Sequence, residues 1–159
     1  MAPPVLPAFS SSFSVAYELP ADTLEGTWAG LLPAAALPGC YQQLLAAARA
    51  HGQCRFWLLH LQRRNWPDEA FGRWFSEEFA PQAVAVLGPP LFLACVVRPG
   101  QRPHVEASHT GQLLRRAAAR NVFPFYFENE ADARAWLRYQ QAGEQPAAGS
   151  LPVAHKLVR

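Results

Sequence analysis

Three apolar runs of strand length, Cys54–Leu61 (CRFWLLHL), Leu91–Val97 (LFLACVV) and Val122–Phe127 (VFPFYF), are separated by segments with helical periodicity. A run that is apolar at nearly every position has no solvent face, so it reads as a strand covered on both sides. Strands alternating with helices build a parallel sheet joined by right-handed crossovers. Pro124 lacks a backbone donor, which places the run that contains it at a sheet edge.

The remaining elements fall around this frame. Phe13–Leu19 (FSVAYEL) alternates partly and reads as a strand. Pro20-Ala21-Asp22 is a turn signal, and Leu24–Leu31 (LEGTWAGL) is a second strand, so the two form an antiparallel hairpin. A helix over 41–51 places Tyr41, Leu44, Leu45 and Ala48 on one face and stops at Gly52. Trp66-Pro67-Asp68 opens a second helix whose stripe of Phe71, Trp74, Phe75 and Phe79 faces the core; it bends at Pro81 and ends at Gly88. A third helix is expected over 103–120 and a fourth over 130–141, the last capped by Asn129 with Asp132 three residues on. The expected architecture is α/β, a mixed five-stranded sheet in the order β-β-α-β-α-β-α-β-α with an N-terminal hairpin and packed helices. Residues 1–12 read as a loose arm, 13–141 as one domain, and 142–159 as a flexible tail rich in Gly, Pro, Ala and Ser.

Composition narrows the class. A length of 159 residues with 50% hydrophobic content suits one domain with a core of its own and excludes a disordered chain. The net charge of +2 does not argue for nucleic acid, and no apolar run approaches the ~20 residues of a membrane span. Met1-Ala-Pro-Pro-Val-Leu-Pro7 has neither the basic start nor the apolar centre of a signal peptide. Cys40, Cys54 and Cys95 are odd in number and lack CxxC spacing, and Cys54 and Cys95 lie in apolar runs as buried thiols would; the expected compartment is the cytoplasm. Lys156 is the sole lysine among fourteen basic residues, a bias that matches the codon usage of a GC-rich bacterial genome.

Particular segments resemble the SpoIIAA-like branch of the STAS superfamily, in its Bacteroidetes representatives. They are the hairpin Phe13–Leu31 with Glu25-Gly26, the strand Arg55–Leu61, the apolar strand Leu91–Val97, and the ending Phe125–Leu137 (FYFENEADARAWL), in which an aromatic strand and an acidic turn lead into a helix with Ala-Trp-Leu. The resemblance covers residues 13–141 and implies a small binding or regulatory domain. Anti-sigma-factor antagonists of that family carry a phosphorylatable Ser at a helix N-terminus after the central strand. The matching stretch here, Gln62–Phe71, holds no Ser or Thr, and Ser76 lies inside the helix, so that switch is not carried over.

Candidate chemistry concentrates on the loops after the parallel strands, which gather at one sheet edge where ligands often bind. Arg63, Arg64 and Trp66 follow one strand; Arg98, Arg102 and His104 follow the next. Together they form an Arg-rich rim able to hold an anion by forked hydrogen bonds and stacking. His104, Glu106 and His109 contain metal-ligand types, but the two histidines are five residues apart and splay on an ideal helix by ~140°. Ser108 and His109 are neighbours that point apart, no GxSxG or glycine-rich phosphate loop occurs, and His60 lies in a buried strand. The expectation is therefore a non-enzymatic binding or regulatory module without cofactor or metal. It would act through a protein partner or by self-association as a homodimer. The alternative is a small anionic or lipid ligand at the rim.

Overall fold

The computed structural model describes residues 12–144, so most of the expected arm and tail lies outside the described residues. Five strands pair in the order in which the chain makes them: β1 (Phe13–Glu18), β2 (Thr23–Trp28), β3 (Phe56–His60), β4 (Leu91–Val96) and β5 (Val122–Phe127). β1 and β2 are antiparallel, and every later pair is parallel. This is the expected mixed α/β sheet.

Sequential order with a constant crossover hand has a direct consequence. Each crossover carries its helix to the same face of the sheet. That face holds α1 (Leu37–Ala50), α2 (Glu69–Trp74), α3 (Ala80–Leu87), α4 (Arg102–Ala107) and α5 (His109–Arg115). Their apolar stripes bury Leu24, Trp28, Trp57, Leu59, Leu93 and Cys95 from the strands. Among the described residues the opposite face is covered by one helix, α6 (Glu130–Glu144), which packs Ala133 and Leu137 on Phe56, Leu58, Ala94 and Val96. The Asn129 cap forms as expected: its Oδ1 accepts from the Asp132 amide at 2.8 Å. The helix runs to Glu144, so 142–144 belong to it and not to a tail.

Three further helices differ from expectation, each for a local reason. α1 begins at Leu37 because Pro38 sits in its first turn, where a missing amide costs nothing. The second helix does not bend smoothly at Pro81. α2 is capped by Asp68, whose carboxylate accepts from the Phe71 amide at 2.9 Å, and then widens into a π-helical turn over Phe75–Phe79. The added residue lets Pro81 fall in the first turn of α3. The expected helix over 103–120 is broken at Ser108, which adopts an extended conformation. Its Oγ donates to Val105 O at 2.8 Å and accepts from the Gly111 amide at 2.9 Å, so it ends α4 and caps α5 in one stroke. A short 3₁₀ turn, Arg116–Arg120, follows and ends at the left-handed Asn121 (φ 67°).

Candidate functional site

The loops after β3 and β4 do converge at the C-terminal edge of the sheet, but several of their polar groups are already bonded. Arg98 Nη1 donates to Gln62 O at 2.6 Å, and the Leu32 amide donates to Asn65 Oδ1 at 3.3 Å. Arg102 bonds Glu106 through Nε at 3.0 Å, and its amide donates to Glu128 at 3.1 Å. Arg63 and His104 are exposed. Trp66 is half-buried, edge-on to Tyr126 with ring centroids 5.9 Å apart. Arg64 is not a rim residue: it turns inward and is only 5% exposed. Its guanidinium lies over the Trp28 ring at 4.5 Å and donates from Nη1 to Tyr41 Oη at 3.1 Å. Of the six expected residues, Arg98 and Arg102 are tied to neighbouring groups, Arg63 and His104 are exposed, Trp66 is half-buried and Arg64 is buried.

His104, Glu106 and His109 do not assemble. Glu106 is held by Arg102, and His109 Nε2 pairs with Glu69 at 2.5 Å. A different group with ligand chemistry comes together on the α6 face: Glu25, His60 and Glu130, whose ligand atoms lie within 4.8 Å of one another. His60 Nε2 is 2.6 Å from Glu25 Oε2. The cationic position beside these carboxylates is already taken by Arg134, which reaches Glu18 at 2.9 Å, Glu25 at 3.2 Å and Glu130 at 2.7 Å. Burial opposes its charge, yet the hydrogen bonds to Glu130 and Glu18 and the field of Glu25 outweigh that and raise its pKa above the ordinary value. The arrangement therefore binds α6 to β1, β2 and β3 by charge. Apart from the i,i+4 pair Glu130–Arg134, its contacts join residues 35 to 116 positions apart, so no local motif announces it.

The three thiols are poor nucleophiles in this fold. Burial pushes Cys54 up to about 11 and Cys95 up to about 12, and it raises Cys40 as well. A thiol must ionise to attack, so all three stay inert near neutral pH.

Another open constellation is aromatic. Because β5 side chains alternate, Phe123, Phe125 and Phe127 project to the α6 face. Register aligns Phe56, Phe92 and Phe123 across three strands, with ring centroids 5.8 and 5.7 Å apart. Trp136 of α6 stacks on Phe125 at 4.8 Å and meets Phe92 edge-on at 5.7 Å. One helix is too narrow to cover this face, and a groove of about 660 Å³ remains, lined by Pro90, Phe92, Phe123, Phe125, Trp136 and Gln140 among others. Arg55 braces its end, donating to Pro90 O at 3.0 Å and pairing with Glu144 at 2.8 Å. Volume and lining both match sites that take apolar ligands or segments.

The open edge of β5 adds a restriction. The amides of Leu91 and Val97 donate to Asn121 O and Phe127 O, so the odd-numbered residues of β5 turn their backbone groups toward β4. Pro124, of opposite parity, therefore faces the free edge. It costs the ladder nothing and removes a donor that an added strand would need.

No protein-family model matches the chain, and no curated protein or solved structure matches it. Among the described residues, no helix is long and apolar enough to cross a membrane.

Proposed function

We propose that this chain is a binding module of STAS-like architecture that docks a partner protein through the groove between β5 and α6. The observation that carries the reading is the exposed stack of Phe125 on Trp136. It places a large aromatic surface beside a 660 Å³ groove, with Phe125 47% exposed. Aromatic anchors of this kind dominate protein interfaces. The partner supplies an apolar segment held by its side chains, because Pro124 hinders backbone pairing at the adjacent edge. A reducing compartment, the cytoplasm, suits three buried free thiols.

The test is a photo-crosslinking amino acid at Phe125 in the native host, compared with the same group at Gln43, exposed on α1 across the sheet. A discrete protein adduct from position 125 alone is expected. No adduct there, or the same adducts from both positions, overturns the reading.

A further inference from the structure

Arg64 combines two properties that rarely coexist: it is nearly inaccessible, and it has no carboxylate partner among the described residues. All twelve acidic residues of the chain lie among the described residues, and none of them pairs with it. A guanidinium keeps its charge even when buried, and burying an uncompensated charge is costly. The Trp28, Tyr41 and Phe71 rings at 4.5, 5.8 and 6.0 Å recover part of that cost through their π faces. The single hydrogen bond to Tyr41 leaves Arg64 Nε buried without an acceptor.

A second observation points the same way. Trp66 Nε1 is also buried with no acceptor. Arg64 and Trp66 line the same small chamber under the C-terminal edge of the sheet, together with Tyr41, Cys95 and Tyr126. Arginine and indole nitrogens can only donate, so the residues that line the chamber carry two unused donors and a positive charge. The other polar walls supply no negative charge. Burial raises the pKa of Tyr41, Cys95 and Tyr126, and the field of Arg64 only partly offsets this. The free space, about 10 Å³ for the centre of a water-sized sphere, admits one small species and excludes sulfate, phosphate or a carboxylic acid.

We propose that Arg64 and Trp66 hold one halide-sized monovalent anion between the sheet and the helices, beneath the loop that joins β3 to α2. The anion accepts from Arg64 Nε and Trp66 Nε1 and neutralises the buried guanidinium. Since only the folded chain builds the chamber, occupancy makes stability depend on halide concentration.

The experiment uses the full chain at constant ionic strength, with sodium gluconate replaced stepwise by sodium bromide. Thermal unfolding is followed, and crystals grown in bromide are measured for anomalous scattering. Two results are expected: a melting temperature that climbs with bromide, and one anomalous peak within hydrogen-bond distance of Arg64 Nε and Trp66 Nε1. Arg64→Met disturbs the core as well as the chamber, so Trp66→Phe is the decisive variant, removing one donor and keeping a ring against Tyr126. It should need about tenfold more bromide for the same shift. Equal melting in gluconate and bromide overturns the proposal, as does a water without anomalous signal at the site, or a bromide response that Trp66→Phe leaves unchanged.

Discussion

Phe125 stacks on Trp136 at 4.8 Å with an interplanar angle of 17°, yet the two rings carry different loads. Trp136 also packs on Phe92 and Phe127, whereas Phe125 is half in solvent. Trp136→Ala should therefore cost about 3 kcal/mol of stability. Phe125→Ala should cost only about 1 kcal/mol, the value of one partly exposed ring contact. Urea denaturation of both variants checks this. Equal losses would mean that Phe125 serves the core and is not a surface kept for a partner.

Alkaline pH should weaken the fold in a defined window. The Cys54 and Cys95 thiols, ordinarily at 9.0, are raised by burial to about 11 and about 12. Above pH 9 the unfolded chain releases these protons while the folded chain retains them. Stability is thus full below pH 9 and falls as pH rises toward 11–12. Denaturation midpoints measured from pH 7 to 11 should be flat and then decline, and Cys95→Ala should make the decline shallower. At pH 8 a thiol reagent should label the native protein slowly and the denatured protein at all three cysteines.

Gly111 should tolerate no side chain. A Cβ built there would lie 2.1 Å from Val105 O, a backbone atom that cannot move without displacing the end of α4. Gly111→Ala should destabilise by about 3 kcal/mol. Ser108→Ala, which loses only the cap, should cost about 1 kcal/mol. Thermal melts of the two variants measure the difference, and a mild Gly111→Ala would mean that α4 and α5 do not meet as described.

Arg134→Met should release α6 from the sheet's carboxylates. Its side chain is about a quarter exposed, so solvent screens part of the interaction; a loss of about 2 kcal/mol is expected, shrinking in high salt. Salt-dependent urea titrations test both the size and the trend.

Much of the fold was legible because its signals are local. The apolar runs mark β3 and β4, the run Val122–Phe127 coincides with β5, and Pro124 signals its place at the edge of the sheet. The break at Ser108 escaped because the residues around it keep a helical period, and the cap is read only with Gly111 three positions later. Arg63 and Arg64 are chemical twins in the chain. Only the turn that bonds the Arg64 amide to Leu61 O, and the ring cage waiting beyond it, sends one inward and the other out. Glu25, His60, Glu130 and Arg134 meet through strand register and the docking of the last helix, which no short window of residues contains. The groove was hidden for a topological reason: it exists because five helices chose one face.

Strands that pair in chain order also impose a schedule on synthesis. As the chain leaves the ribosome, each new strand finds its neighbour already in place, and the first face can close while the second is still bare. That second face stays bare until the last described helix emerges, because Ala133 and Leu137 cover Phe56, Leu58, Ala94 and Val96. A nascent chain stalled before Glu130 would hold a complete sheet with one oily side, the form most prone to stick to other chains. The groove is the part of that side which the described residues leave open.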